Sequence, residues 1–378
     1  MRMTTTGRVL AGRGWAPTIS ALYPGHQLVR FGNTMFPATV FPAPGGEDPD
    51  SALGDLDLGL IPAEHDADPG RAFRSLGFDP RGEADYREYA GSLAHPGLHD
   101  GPTYAAVRIR NTSNGPRIDA KPGSYFASLA TAEILEQEFV QTLVADPDHP
   151  ARMDALPRRA WLHRRLDGAD PVLDGRFRAG AMSVAVTILH PAPTGHNALL
   201  VRRSAHVRTH PGFLHVAPAG ILAPSGATRT DWREGFSVRQ TVLREYAEEM
   251  FGYRLETSGA AEVNATVPVR DLVKAIEAGE AELRLTGVSV PLLTLRPEIC
   301  VLLLVHEPDR CQWLVDGHNW EVGNVVELAL DDEFRPATRP SSVDLSDLLP
   351  AAAASLHLAT ESARANQPSA PGHERRST

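Results

Sequence analysis

The chain has little cysteine and no long apolar run, and both absences limit the classes of protein to which it can belong. Only Cys300 and Cys311 are present, so a disulfide framework is excluded, and two reduced thiols are favoured over one bridge across a hairpin. No apolar stretch approaches the ~20 residues that cross a bilayer. The amino terminus, MRMTTTGRVLAGRGW, lacks the apolar segment of a signal peptide. We therefore expect a cytoplasmic protein with no membrane partner.

Positive charge is also in deficit. The sequence has 37 Lys and Arg against 47 Asp and Glu, a formal net charge of -10. Nucleic acids and anionic membranes attract a net positive surface, so we expect neither as a partner. A local basic site stays open, because Arg202 and Arg203 lie near the end of a predicted strand, where one could meet a substrate phosphate. Alternation along the strand sends the two side chains to opposite faces, so at most one would do so.

The chain is long enough for two domains, and its two halves differ in pattern. Its 378 residues allow two cores of ordinary size. Residues 1 to about 100 are interrupted by Pro, Gly and Asp clusters typical of turns, whereas TYAAVRIRN predicts a strand and a helix is expected after the N-cap Ser124. The proline-rich stretch DPDHPARMDALPRRAW is the best candidate junction. We predict an amino-terminal region whose fold the sequence leaves open over 1–165, an α/β domain over 166–365 and a disordered tail over 366–378.

Three carboxylates in the second half point to metal chemistry. The stretch from 235 to 252 has no proline, ends in glycine and predicts one helix. On it Glu245, Glu248 and Glu249 fall within an arc of about 100°, while Leu243, Tyr246 and Met250 share the buried side. Like charges on one face repel, and Mg²⁺ or Mn²⁺ removes that penalty because hard cations prefer carboxylate oxygens. The plainer alternative is a solvated helix surface on which Arg244 pairs with a glutamate.

The order of elements around these residues resembles the Nudix hydrolase superfamily, and the chain looks like large Nudix-like proteins of high-GC bacteria with a divergent signature. ALLVRRS is similar to the family's strand before its signature box, and HPGFLHVAPAG to the strand that enters its Pro-Gly-Gly turn, with Ala219 replacing the first glycine. Gly220 would open the box, and Arg244-Glu245-Tyr246-Ala247-Glu248-Glu249 matches its core. The resemblance covers roughly residues 180 to 350.

The sequence departs from that family pattern in three places. About ten residues are inserted between Gly220 and Arg244, the family's early glutamate would fall at Phe236, and two residues instead of one precede Gly252. The inserted residues leave the carboxylate end of the box intact. The missing early glutamate removes a brace between the loop and the helix.

The resemblance implies a fold, a cofactor and a reaction. It implies a Nudix-like α/β/α sandwich with a mixed sheet, in which Mg²⁺ (or Mn²⁺) is held by the three glutamates and the carbonyl of Ala219, and Arg244 holds a glutamate in place. The metal would lower the pKa of a bound water that attacks a diphosphate. Family members often add an acidic group from a later loop, and the candidates here are Glu298, Asp309 and Glu321.

The function predicted on this basis is metal-dependent hydrolysis of a diphosphate linkage in a nucleoside diphosphate derivative or a similar phosphorylated metabolite. An alternative is a catalytically inactive Nudix-fold protein that senses a ligand or scaffolds a partner. A tailoring enzyme with an unusual phosphorylated substrate would share the first mechanism. The sequence does not identify the substrate, because the box contacts only the diphosphate and the metal. It also leaves open whether the protein forms a homodimer.

Overall fold

The computed structural model describes residues 5–59, 100–204, 207, 210–255, 258–307, 322–337 and 343–367. Among the sequence candidates, Asp309, Glu321 and Cys311 lie outside these ranges, as do residues 368–378 of the predicted tail. Cys300 is a buried free thiol. The helices of the described residues are α1 (Thr5–Ala11), α2 (Trp15–Leu22), α3 (Tyr125–Ser128 and Ile134–Leu143, joined by the π-helical turn Leu129–Glu133), α4 (Pro157–Leu166), α5 (Arg229–Glu234), α6 (Val238–Phe251), α7 (Ala260–Ala265), α8 (Val267–Glu277) and α9 (Pro350–Ala365).

A mixed sheet of eight strands forms the centre of the molecule. Its order is β13-β8-β7-β12-β11-β3, with β10 added to β7 and β9 to β8. The β7–β12 pair is parallel and the other pairs are antiparallel. The strands are β1 (Val29–Phe31), β2 (Thr34–Phe36), β3 (Ala38–Pro42), β4 (Leu53–Leu56), β5 (Pro102–Thr112), β6 (Gly115–Ser124), β7 (Ser183–Pro191), β8 (His196–Arg203), β9 (Leu214–Val216), β10 (Ala219–Ile221), β11 (Ala281–Pro291), β12 (Glu298–Val305) and β13 (Val322–Leu330).

The two middle strands β7 and β8 separate along their length, and this separation positions the site. They pair only through Leu189–Pro191 and His196–Ala198. Beyond that point β9 pairs with β8 and β10 pairs with β7. The short β9–β10 segment therefore fills the opening between the two strands and brings Ala219 and Gly220 to the middle of the sheet.

Helices cover both faces of this sheet because its strands are apolar on both sides. Val184, Val186 and Ile188 of β7 share one buried cluster with residues of α6 and α8. Ala185 and Leu189 of the same strand belong to a second cluster with α9. A strand that is apolar on both faces must be covered on both. The predicted α/β class is confirmed, and the mixed sheet between helical layers is the arrangement expected of a Nudix-like α/β/α sandwich.

The amino-terminal segments pack onto the same sheet. The strand β3 pairs with β11 at its edge, and residues of α1 and α2 share the buried cluster of α6. A second sheet, β4-β6-β5, is joined to the segment before β7 by a bridge between Ala105 and Ala181. The division into 1–165 and 166–365 as separately folding units stays a prediction. Among the described helices, none combines the length and apolarity needed to cross a membrane.

Candidate functional site

The helix α6 carries the predicted carboxylates and is closed at both ends by local signals. The Ser237 hydroxyl caps its start by accepting a hydrogen bond from Gln240 N at 3.1 Å. Gly252 ends it with φ 72°, a conformation that glycine adopts without strain. Leu243, Tyr246 and Met250 are each at most 3% exposed. The predicted helix and its buried side are confirmed, with the helix starting at Val238.

Glu245 lies directly against the backbone of Gly220. A Cβ atom added at Gly220 would stand 2.1 Å from Glu245 Cδ and 2.2 Å from Oε1, so only glycine leaves room for the carboxylate in this position. Arg244 holds that carboxylate in place, because its Nη2 donates to Glu245 Oε1 at 2.9 Å and to the carbonyl of Ile221 at 2.9 Å. Residues 23 to 25 positions apart in the chain are thus joined.

Glu249 is bound to the residue before that glycine. Its Oε2 accepts a hydrogen bond from Ala219 N at 3.0 Å. In the β10–β7 ladder it is Gly220 that stands opposite Val184 in a hydrogen-bonded position, so the N–H and C=O of Ala219 both point away from β7. The carbonyl of Ala219 therefore faces the same side as the Glu249 carboxylate.

Glu248 is directed elsewhere. Its Oε1 accepts a hydrogen bond from Leu255 N at 2.8 Å, just beyond the end of α6. Its Oε2 lies 3.6 Å from Arg244 Nε, one helical turn earlier. The single guanidinium of Arg244 therefore contacts two carboxylates, Glu245 and Glu248, the second at i,i+4 spacing.

The four charged side chains are largely removed from water. Glu248 and Glu249 are each 9% exposed, and the side chains of Arg244 and Glu245 are 11% and 13% exposed. Three carboxylates and one guanidinium are thus packed together where solvent screens charge weakly, and carboxylate oxygens are the ligands that a hard cation prefers. Among the described residues, however, no three His, Cys, Asp or Glu side chains are arranged as a ready metal-ligand set. The geometry separates Glu245 and Glu249, at Ala219 and Gly220, from Glu248.

Arg202 and Arg203 are divided between the two faces, as the strand alternation predicts. Arg202 Nη1 donates to the carbonyl of Gly212 at 2.6 Å and lies 3.1 Å from Asp347 Oδ2, near the start of α9. Arg203 points to the other face. Its charge acts on a second group of buried ionisable residues. Arg202 is thus held against Gly212 and Asp347.

This second group lies at the end of the sheet under α3. His210 Nε2 is 3.2 Å from Glu136 Oε2. Arg296 stands between two carboxylates, 3.3 Å from Glu133 Oε1 and 3.7 Å from Glu298 Oε1. Burial raises the pKa of Glu298 more than Arg296 lowers it. The sequence candidate Glu298 thus belongs to this group, and its nearest charge is Arg296.

His215 on β9 lies next to this group, and its imidazole is neutral. Burial, and next to it the charge of Arg203, lowers the pKa of His215 to about 3. Its Nδ1 has no hydrogen-bond partner among the described residues. A neutral imidazole in this place is a polar but uncharged part of the surface next to β10.

Of this charged group the sequence singled out only Glu298, although a signal for Glu136 was also present. Glu136 falls on the same side of α3 as the buried Phe139 and Val140, and a carboxylate within an apolar helical stripe requires a partner. The partners lie in the loop before β9 and ahead of β12, more than seventy residues away in the chain. Only folding shows which cations these are.

Comparisons with known proteins give little beyond this geometry. No protein-family model matches the chain, and no curated protein matches it. The chain is similar to a solved structure described as a NUDIX hydrolase from Alicyclobacillus acidocaldarius, with 18% identity and a TM-score of 0.23, over 39% of this chain and 78% of the other.

Proposed function

We propose that this protein is a Mg²⁺-dependent (or Mn²⁺-dependent) hydrolase that cleaves a diphosphate linkage in a nucleoside diphosphate derivative or a similar phosphorylated metabolite. One observation carries the proposal: Glu245 and Glu249 of α6 meet at Ala219 and Gly220 of β10. These four residues are among those that the Nudix-like pattern singles out, together with Arg244 and Glu248. The substrate is a small molecule, and no nucleic-acid partner is expected.

The residues present fit a hard divalent cation. The donors are the carboxylates of Glu245 and Glu249 together with the carbonyl of Ala219, all oxygen ligands of the kind that Mg²⁺ prefers. The gap left by the missing side chain of Gly220 keeps the Glu245 carboxylate next to that backbone. When bound, the metal supplies Lewis acidity toward a phosphate oxygen and lowers the pKa of a coordinated water.

The chain's own residues then position the carboxylates. Arg244 orients Glu245 through a 2.9 Å hydrogen bond and neutralises part of the charge of Glu248. Glu248 in turn holds the chain after α6 through Leu255 N. We therefore assign Glu248 to positioning and the pair Glu245 and Glu249 to the metal, a finer division than the sequence-based set of three ligands.

Arg203 is our candidate for the substrate's phosphate, because it points to the face of the sheet that carries α6 and its glutamates. Arg202 points to the opposite face, where it contacts Gly212 and Asp347. Gly220 contributes by its size, because a side chain there would occupy the space beside Glu245.

A second candidate function is a ligand-binding protein without turnover. It is favoured by the backbone donors that already satisfy Glu248 and Glu249, since a carboxylate bonded to protein N–H groups has less need of a metal. Such a protein would bind a phosphorylated ligand and leave it intact.

The decisive experiment compares three glutamate-to-glutamine variants across a panel of nucleoside diphosphate derivatives. Glutamine keeps an oxygen that accepts the bond from Ala219 N or Leu255 N, so each variant removes charge and leaves the fold in place. We expect Glu249→Gln to lower metal-dependent turnover by at least about 100-fold, and Glu248→Gln to lower it less. Glu234→Gln, on the exposed end of α5, is the matched control and should match the parent chain.

Thermal unfolding with and without Mg²⁺ separates the outcomes. A ligand bound only to the folded state stabilises it by about 2.7 kcal/mol at a hundredfold excess over Kd, and Glu249→Gln should lose most of that gain. If Mg²⁺ raises the melting temperature of the parent chain and of Glu249→Gln equally, the metal binds at another site. Binding of a panel member without hydrolysis would contradict the proposed enzyme activity and support the second candidate function.

A further inference from the structure

A cavity lies on the side of α6 away from β10. It has a volume of about 400 Å³ and sits between the first turns of α6 and the helices α7 and α8. That size is within the range of small-molecule sites. It is lined by Arg239, Gln240, Leu243, Asn264, Arg270 and Lys274.

The lining of this cavity is positively charged, in contrast to the protein as a whole. Within the described ranges, the guanidinium groups of Arg239 and Arg270 have no carboxylate within ion-pair distance. Lys274 has a single weak pairing, 3.8 Å from Asp271, and both of these side chains are well exposed. Two planar guanidinium groups and an ammonium match the oxygens of a phosphate.

The other residues that line the cavity indicate which chemical groups the ligand carries besides the phosphate. The side-chain oxygen of Gln240 is buried and has no hydrogen-bond donor in the described part of the chain. A buried acceptor without a donor is unfavourable, and a ligand hydroxyl would satisfy it. Leu243 and the half-buried Val273 form an apolar floor on which the face of a sugar ring could pack.

We propose that this cavity binds a small phosphate monoester that carries hydroxyl groups, of the sugar phosphate or nucleoside monophosphate class. The site is separate from the carboxylates, because Arg239 and Gln240 stand on the first turn of α6 and Glu245 to Glu249 on its later turns. The start of α6 is in turn fixed by Asp50, which accepts from Ser237 Oγ and Arg239 N at 3.0 Å each. A ligand in the cavity therefore contacts a well-ordered helix end.

Calorimetric titration of the full chain with ribose 5-phosphate tests this site. The buffer contains EDTA, so that no divalent cation can hold the ligand at the carboxylates. We expect saturable binding by the parent chain and at least about tenfold weaker binding by the double variant Arg239→Gln, Arg270→Gln. Arg233→Gln, an exposed arginine on α5 outside the cavity, is the matched control and should bind as the parent does.

Two further variants test whether the ligand binds in this cavity and through the proposed contacts. Gln240→Leu should weaken binding of ribose 5-phosphate and leave binding of inorganic phosphate unchanged, because it removes only the acceptor for the hydroxyl. Glu249→Gln should bind ribose 5-phosphate as the parent does, whether or not the chain hydrolyses diphosphates. The proposal is overturned by absence of binding in the parent, by unchanged binding in the double variant, or by loss of binding in Glu249→Gln. Circular dichroism establishes that each variant is folded.

Discussion

At the scale of single residues, Gly220 is the position where an added side chain would occupy the space of the Glu245 carboxylate. An alanine Cβ there would lie 2.1 to 2.4 Å from three atoms of the Glu245 carboxylate group. Those atoms are the far end of a flexible side chain, so they can move without disturbing the core. The residue is thus expected to matter for function much more than for folding.

Gly220→Ala should therefore separate activity from stability. We expect a loss of no more than about 1 kcal/mol in unfolding free energy, together with loss of most Mg²⁺-induced stabilisation and turnover. Chemical denaturation and Mg²⁺-dependent melting measure the two effects. Full retention of the Mg²⁺ response would show that Glu245 need not stand against β10.

Gly287→Ala provides the contrasting control at the residue scale. Its Cβ would lie 2.4 Å from the backbone carbonyl oxygen of Phe41, and its φ is 150°. Backbone atoms of a paired strand cannot move aside as a side chain does, so we expect a loss of about 2 kcal/mol or more.

At the scale of elements, the His210–Glu136 pair joins the segment before β9 to α3. Burial alone lowers the pKa of His210, but the charge and hydrogen bond of Glu136 outweigh it and leave that pKa above its ordinary 6.5. Burial likewise raises the pKa of Glu136, and His210 outweighs it, so that pKa lies below 4.5. Both partners are therefore charged in the folded protein at mildly acidic pH.

The pH dependence of stability follows from these two shifts. The contribution of His210 is complete below 6.5 and is lost as pH rises through its raised pKa in the fold. The contribution of Glu136 is complete above 4.5 and is lost as pH falls through its lowered pKa. The pair thus stabilises the fold most between these two values.

His210→Gln should accordingly destabilise the protein by about 2 kcal/mol near pH 6 and by less near pH 9. Urea unfolding of both chains at the two pH values measures the difference. His149→Gln is the matched control: its pair with Asp146, at 2.8 Å, is exposed, and exposed pairs stabilise little. A difference between His210→Gln and the parent that stays constant over this pH range would contradict the assignment.

At the scale of the whole molecule, Arg159 links the amino-terminal part to the segment after β11. It is 0% exposed, and its guanidinium donates to the carbonyl of Leu292 at 3.1 Å and of Leu135 at 3.2 Å. It also contacts the hydroxyl of Tyr23. One buried side chain thus satisfies acceptors from three separate segments.

Arg159→Met should lower the free energy of unfolding by about 3 kcal/mol or more, because buried acceptors lose their donor. Arg164→Met, on the exposed side of the same helix, should change it little. Equilibrium denaturation of both variants gives the comparison. Equal stability of the two variants would show that the segments are held together without Arg159.

What the sequence determined by itself is local. The helix predicted over 235–252, its terminal Gly252 and its buried side follow from contacts within a few positions along the chain, whereas its start at Val238 came from the structure. Such features are readable because helical neighbours lie three or four residues apart. The alternation of Arg202 and Arg203 is local in the same way, since it follows from strand geometry.

Tertiary structure decided which of these residues meet. Glu245 and Glu249 reach Gly220 and Ala219 across 25 and 30 positions, whereas Glu248 turns to Leu255. The helical wheel places all three glutamates on one side and cannot separate them, because their final directions depend on backbone donors from β10 and from the chain after α6. The pairing of β3 with β11 and the charges under α3 likewise join segments from opposite parts of the chain. Contacts at that separation are set by how whole elements pack, and a single sequence does not specify that packing residue by residue.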